Sequence, residues 1–357
     1  MKSFDIILEA VTKRFGKETA VNQLSVKIPR GEYLCMLGPS GCGKTTTLRM
    51  IAGLLQPDEG NIYLDTQRVN DVPPNERNTA TVFQSFALFP HLNVWQNTEF
   101  GLKMRHISKS ERNVKVSAML AQMGLAKMAL KMPEELSMGE RQRVALAKSL
   151  IIEPRVLLLD EPLSSIDVSL KNKILIDLRE IHDRLGLTFI HVTHDPEEAM
   201  ANADRIMLMR KGTIQQLDSP WEIFNRPKNK FVAGFFQNSN IIEGVAERSE
   251  GESVLVVNDL GRFKVSGCGQ IPPLGKKVCI AIRHDKVRLA SGKESRNRID
   301  GKLIGKEIVG AVITYIVSIN DHRTFKFQSH MSLNTPAFDL NEKISLTWDP
   351  LDAILLT

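Results

Sequence analysis

The chain has 357 residues, 42% hydrophobic and 25% charged, with a formal net charge of +6. That length exceeds what one hydrophobic core usually organises, so two domains are expected, and the composition is that of a folded globular protein rather than a disordered or fibrous one. No apolar run nears the ~18 residues of a membrane-spanning helix. Asp5 and Glu9 interrupt the opening stretch MKSFDIILEAVTKRF, against a signal peptide, so the cytosol is the expected compartment.

In chain order, short apolar runs first alternate with helical periods, the pattern of an α/β domain. YLCMLG (33–38) reads as a buried strand entering a glycine-rich loop, and TLRMIAGLL (47–55) as the helix after it. From Val94 to about Ile152 strand signals vanish and the text is helical, with SERNVKVSAMLAQMGL (110–125) the clearest piece. A helical insertion over about 94–152 in an α/β core accounts for this. Within it, the methionines at 119, 123, 128, 132 and 138 read as core rather than docking surface. The preceding SFALFPHLNVWQN (85–97) divides between core packing and partner contact.

RVLLLD (155–160) is the next strand, followed by a helix with Ile174, Leu178, Ile181 and Leu185 on one face. LTFIHVTHD (187–195) is another strand, after which Asp195, Pro196 and Glu197–Glu198 supply an N-cap, an N1 proline and an acidic first turn. RIMLMRKGTIQQL (205–217) reads as a hairpin turning at Lys211–Gly212. Around QNSNII (237–242) the character changes, and short β-type runs with Gly/Pro turns fill 243–357, a smaller all-β, barrel-like domain. Its densest basic stretch, KKVCIAIRHDKVR (276–288), alternates like a strand without aromatic interleaving, which favours a solvated face over nucleic-acid binding. Cys35, Cys42, Cys268 and Cys279 lack metal-type spacing and read as free thiols.

GPSGCGKTT (38–46) matches G-x-x-x-x-G-K-[ST] between a strand and a helix, where the motif must sit. Glycines let successive amides face phosphate oxygens, Lys44 reaches the outer phosphates, and the Thr45 hydroxyl suits magnesium. RVLLLDEP ends its strand in Asp160, a carboxylate for the magnesium shell. Glu161 follows and by strand alternation projects differently, so it is placed to activate a water. Gln84 and His194 stand at strand ends, suited to magnesium or water and to a γ-phosphate, although each alone is an ordinary surface residue. His191 reads as a satisfied core histidine. In ELSMGERQR (135–143), Ser137 and Glu140 form a capping box, and the helix start it builds is also an anion site.

Taken together, the phosphate loop, Gln84, LSMGERQR, LLLDEP, SSID and His194, in that order, resemble the ATP-binding subunits of ABC transporters over about 1–236. The resemblance implies a P-loop NTPase core and a homodimer in which each ATP lies between one subunit's phosphate loop and the other's signature helix. It implies adenine stacking on Phe15 and phosphate contacts from Gly38, Pro39, Ser40, Gly41, Cys42, Gly43, Lys44, Thr45 and Thr46. Magnesium would fall to Thr45, Gln84 and Asp160, with Glu161 as base and His194 at the γ-phosphate. Ser137, Gly139 and Glu140 would complete the partner's site, and Asp167 would sit at the dimer seam. Met138 and Glu140 replace the usual glycine and glutamine of the L-S-G-G-Q signature, which bears on dimer closure.

The C-terminal part resembles the β-barrel (TOBE-like) domain of importer ATPases, through FVAGFFQNSNIIEG, AIRHDKV and LTWDPLDAILL. The implied setting is the cytoplasmic face of the cell (inner) membrane, beneath two transmembrane permease subunits and indirectly served by a solute-binding protein. SNIIEG and WDP look closest to the polyamine and iron branches; sugar, sulfate and phosphonate importers stay open. The alternatives are a soluble ABC ATPase, whose long coiled-coil insertion or second ATPase core this chain lacks, and a regulatory subunit that binds ATP without hydrolysing it.

Overall fold

The computed structural model describes residues 3–163, 168–290, 297–320, 323–332 and 338–356, the side chains of 168–170 excepted. Asp167 lies outside the described residues. The chain divides into two compact units, Met1–Pro220 and Trp221–Thr357.

The first unit runs β1 (Phe4–Phe15), β2 (Glu18–Pro29), β3 (Tyr33–Leu37), α1 (Lys44–Ala52), β4 (Glu59–Leu64), β5 (Gln67–Arg68) and β6 (Thr79–Val82). It continues α2 (Val94–Met104), α3 (Lys109–Gln122), α4 (Met138–Leu150), β7 (Val156–Asp160), α5 (Val168–Leu185), β8 (Thr188–Val192), α6 (Pro196–Asn202), β9 (Arg205–Arg210) and β10 (Thr213–Asp218). A six-stranded sheet has the order β10-β9-β3-β8-β7-β6 and a four-stranded sheet the order β2-β1-β4-β5. The larger sheet is parallel except for the β9–β10 hairpin, which turns at Lys211–Gly212 as expected. Every residue of β3, β7 and β8 is buried, which is why they read as unbroken apolar runs rather than alternating ones.

One core joins the two sheets: Ile6, Leu8 and Ile28 from the antiparallel sheet pack with Leu34, Met36, Leu158 and Ile190 and with Leu48 and Ile51 of α1. Helix α1 stops at Ala52, short of the expected Leu55, because Gly53 adopts a left-handed conformation (φ 82°) and turns the chain. Three residues of the α5 stripe, Ile174, Leu178 and Ile181, are buried; Leu185, its last, is 37% exposed where the helix ends. Among the described residues between β6 and β7 there is no strand. Of the five methionines in that helical region only Met123 is buried, and Met138 is exposed, since a thin helical layer covers its side chains incompletely.

A short helix, Pro220–Asn225, begins at the last residue of the first unit, and a second, Lys230–Phe235, follows. Two antiparallel five-stranded sheets follow. One centres on Ser239–Glu250 and Lys277–Arg283, the other on Arg298–Val309 and Val312–Asn320. They enclose a shared core that includes Ile242, Val256, Phe263, Ile280, Leu303, Phe325, Leu346 and Trp348, so the smaller β domain is present. The division between the units, at Pro220 and Trp221, precedes the stretch 237–242 expected as a linker, and the strand Ser239–Glu250 begins inside that stretch. Asn240 is held within that strand. Its side chain donates to the Lys326 carbonyl (2.7 Å) and accepts from the Lys326 amide (2.8 Å), so a residue typical of turns is buried as a bridge between strands. Upstream, Ala233 of Lys230–Phe235 packs with Ala281 and Leu356, which draws that helix into the second unit.

Arg77 secures the far end of α1. Only 4% exposed, its guanidinium donates to the carbonyls of Met50 (2.8 Å), Ile51 (2.9 Å), Val69 (2.5 Å) and Val72 (2.9 Å). Two of these lie in the last turn of α1, where a cation also meets the negative end of the helix dipole. Arg77→Met should strip four carbonyls of their buried charged donor and destabilise the protein by ~2–4 kcal/mol, read as a lower urea midpoint with native secondary structure retained.

Candidate active site

The phosphate loop leaves β3 and enters α1 at Gly43, whose φ of 103° and position, with a built Cβ 2.4 Å from the Ala20 carbonyl oxygen, admit only glycine. The helix start has no side-chain cap and no acidic residue in its first turn, so its amides and dipole remain available to an anion. The Thr47 hydroxyl donates to the Gly43 carbonyl (2.9 Å) and fastens the first turn. Lys44 is 5% exposed, its ammonium donating to the carbonyls of Gly38 (2.7 Å) and Pro39 (3.0 Å). Pro39, Ser40 and Gly41 form the exposed rim, while Thr45 and Thr46 are half-buried. Cys42 lies beneath them, its thiol pushed up by burial against the opposing pull of the Lys44 charge.

Thr45 donates its hydroxyl to Asp160 (3.1 Å), joining the start of α1 to the end of β7. Burial raises the Asp160 carboxyl, opposed by that hydrogen bond and by the Arg49 charge. The two oxygens are hard donors suited to magnesium. Among the described residues no three His, Cys, Asp or Glu side chains gather as a metal cage. Magnesium bound to a nucleotide needs none, since one or two protein oxygens with phosphate and water complete its shell.

Glu161 follows with φ 47°, a left-handed conformation that costs a non-glycine residue ~1–2 kcal/mol. Its amide donates to the Val192 carbonyl (3.0 Å). This turn, rather than strand alternation, separates Glu161 from Asp160 and brings its carboxylate 3.5 Å from His194 Nδ1. His194 is largely open, with 56% of its side chain exposed. Gln84 is exposed in the turn beyond β6, just before Phe86 and Ala87, both left-handed (φ 61° and 46°). Lys148 of α4 steadies that turn, donating to the Ala87 carbonyl (2.8 Å) and lying 3.9 Å from the Phe89 ring centroid.

At the start of α4 the capping box is formed: the Ser137 amide donates to Glu140 Oε2 (2.8 Å) and the Glu140 amide to Ser137 Oγ (3.4 Å). The Ser137 amide holds the Glu140 carboxyl below its usual range. Gly139 is buried and Met138 is 38% exposed. Phe15 stands at the end of β1, 51% exposed, with the Lys13 ammonium 5.7 Å from its ring centroid. The fold thus joins Thr45 to Asp160 and Glu161 to His194, while Phe15 stands at the end of β1, Gln84 in the turn beyond β6 and Ser137 at the start of α4.

An open-ended helix after a buried strand, an acidic pair at the next strand end and a histidine beyond a third define a P-loop ATPase of the ATP-binding cassette class. The ABC transporter family profile matches residues 21–164. The spermidine/putrescine import ATP-binding protein of Rubrobacter xylanophilus is 39% identical over 351 residues, covering 98% of this chain and 93% of its own. The protein of the same name from Thermotoga maritima is 35% identical over 360 residues, covering 99% and 98%. Among solved structures, a dimeric ATP-binding cassette in a post-hydrolysis state, bound to ADP and Pi, is 30% identical with a TM-score of 0.54, over 60% of this chain and 98% of that one. The cbiO1 protein of Clostridium perfringens, part of the ABC transporter complex cbiONQ, is 28% identical with a TM-score of 0.58, over 62% and 91%. The chain belongs to the ABC transporter ATP-binding proteins, and it is an ATPase. No helix among the described residues is long and apolar enough to cross a membrane.

Glu198, just beyond His194 in the chain, carries no recognisable motif, yet it is only 3% exposed. His191, fully buried, lies 3.4 Å from it through Nε2 and 3.1 Å from the Tyr33 hydroxyl through Nδ1. Burial raises the Glu198 carboxyl, but His191 and Lys171 outweigh it and bring it down to about 2 from an ordinary 4.5. A carboxyl lowered on folding stabilises above its unfolded value and loses that contribution as pH falls through the folded one. Wild type should therefore exceed Glu198→Gln in stability at neutral pH, and the gap should close between pH 4.5 and about 2, measured as denaturation midpoints against pH.

Proposed function

We propose that this chain is the ATP-hydrolysing subunit of a polyamine importer, working as a homodimer on the cytoplasmic face of the membrane beneath two permease subunits. The observation that carries the solute class is identity of 39% across 98% of the chain to a spermidine/putrescine import ATP-binding protein. The dimeric form of a similar cassette supports the homodimer, and the transporter complex that contains another supports permease partners. Uptake of labelled spermidine and putrescine by cells with and without the gene tests the solute. Unchanged uptake of both, with loss of another solute, would reassign it.

In this reading the ATP phosphates lie on the amides of Gly38 to Thr46, and Lys44 leaves the Gly38 and Pro39 carbonyls for the outer phosphates. Phe15 offers its exposed ring to adenine. Magnesium, held by Thr45, Asp160 and Gln84, would neutralise charge on the phosphate oxygens. Glu161 takes a proton from the attacking water, and His194, next to it, contacts the γ-phosphate. The partner's Ser137, Gly139 and Glu140 close the site from the opposite side. Glu161→Gln should retain ATP binding and lose turnover by ~10²-fold or more, with ATP trapping a dimer visible by gel filtration. Near-normal hydrolysis would assign the base elsewhere.

Glu140 brings a negative charge to a surface that, in the dimer, faces nucleotide. Glutamine can keep the capping box while removing the charge. Glu140→Gln should tighten ATP-dependent dimerisation severalfold and lower the ATP concentration for half-maximal turnover. Added salt should shrink the difference. Identical behaviour at low salt would leave Glu140 as a cap alone.

A further inference from the structure

His194 sits between two anchored neighbours. On one side the Thr193 amide donates to the Met36 carbonyl (3.1 Å), fixing the chain to β3. On the other, the Asp195 carboxylate accepts the Glu197 amide (2.7 Å), capping α6, while the Asp195 amide donates to the Thr193 hydroxyl (3.0 Å). Asp195 has a second bond, to the ammonium of Lys171 on α5. That ammonium also meets Glu198 (2.8 Å) and is 18% exposed, so two carboxylates share one partly buried cation. Helix α5 follows Glu161 in the chain, and His194 closes the circuit by approaching Glu161 to 3.5 Å.

We propose that Lys171 is a positioning residue for hydrolysis: by pairing with Asp195 and Glu198 it ties α5 to the segment carrying His194 and holds that imidazole beside Glu161. The inference rests on the role of His194 given above. Without the ammonium, Asp195 and Glu198 lose their shared counter-charge, and the Asp195 end of the segment loses its tie to α5. Displacement of a reacting group by about an ångström can cost ~10²-fold in rate. Lys171 touches neither phosphate nor water in this account. Its removal should therefore slow turnover without weakening ATP binding.

The test compares steady-state ATP hydrolysis by the full-length protein with Lys171→Met, Lys171→Arg, Asp195→Asn and the double variant Lys171→Met/Asp195→Asn. Asparagine caps a helix as well as aspartate does, so Asp195→Asn keeps the α6 cap and removes only the ion pair. The expected result is a kcat lowered ~10- to 100-fold in Lys171→Met and Asp195→Asn, with KM for ATP unchanged. The double variant should be no slower than the slower single one, as expected for two residues acting through one contact. Lys171→Arg should recover most of the loss. Amide hydrogen exchange over residues 194–199 should quicken in Lys171→Met without a matching fall in thermal midpoint. Normal kcat in Asp195→Asn, additive losses in the double variant, or a raised KM with kcat intact would each overturn the tether. His194→Ala, measured alongside, keeps the two readings apart. Normal turnover there overturns the role of His194 itself, whereas slow turnover there with normal Lys171→Met overturns only the tether.

Discussion

The register of three buried parallel strands is the constraint on which the site depends. Met36 of β3 and Asp160 of β7 both pair with Val192 of β8, so the three strands end side by side. The phosphate loop, the Asp160–Glu161 pair and the His194 segment therefore leave the sheet at one edge, where ligands of α/β folds bind. A slip of one residue would exchange the side chains packed on each strand's two faces, all of them buried. Complete burial of all three strands makes such a slip costly. The site's accuracy thus derives from apolar packing beneath it.

On that edge, charges are held ready by backbone groups as much as by one another. Lys44 rests on two carbonyls, and the Asp160 carboxylate accepts a neutral hydroxyl. The left-handed Glu161 is kept in place by the hydrogen bond from its amide to the Val192 carbonyl, a local strain carried by the buried strands beside it. Behind the edge lies a more heavily charged layer of Glu198, His191, Lys171 and Asp195. Burial there makes each pair costly to break, which suits a support more than a moving part.

The signature helix follows another logic. Ser137 and Glu140 satisfy each other's amides, so α4 starts cleanly without any ligand. That self-sufficiency lets the sequence depart from the family pattern at Met138 and Glu140 and still build the helix start. The second unit is built differently, from two antiparallel sheets around an aromatic-rich core, with Phe263, Phe325 and Trp348 in near contact.

Much of the site was legible because its signals are local. A strand, a glycine loop and a lysine lie within a dozen residues, the capping box within four, and buried parallel strands announce themselves as apolar runs. The smaller β domain was legible by the same short-range alternation. Tertiary structure decided whatever depended on distant partners. Arg77 looks like any loop arginine until α1 presents its terminal carbonyls, and Asn240 reads as a turn residue until Lys326 supplies a backbone for its amide. Lys171 lies 24 residues from Asp195, and its charge looks like that of any solvated helix face. Periodicity records which face of a segment is apolar; it does not record which polar group will find a partner, because that is settled by packing between segments.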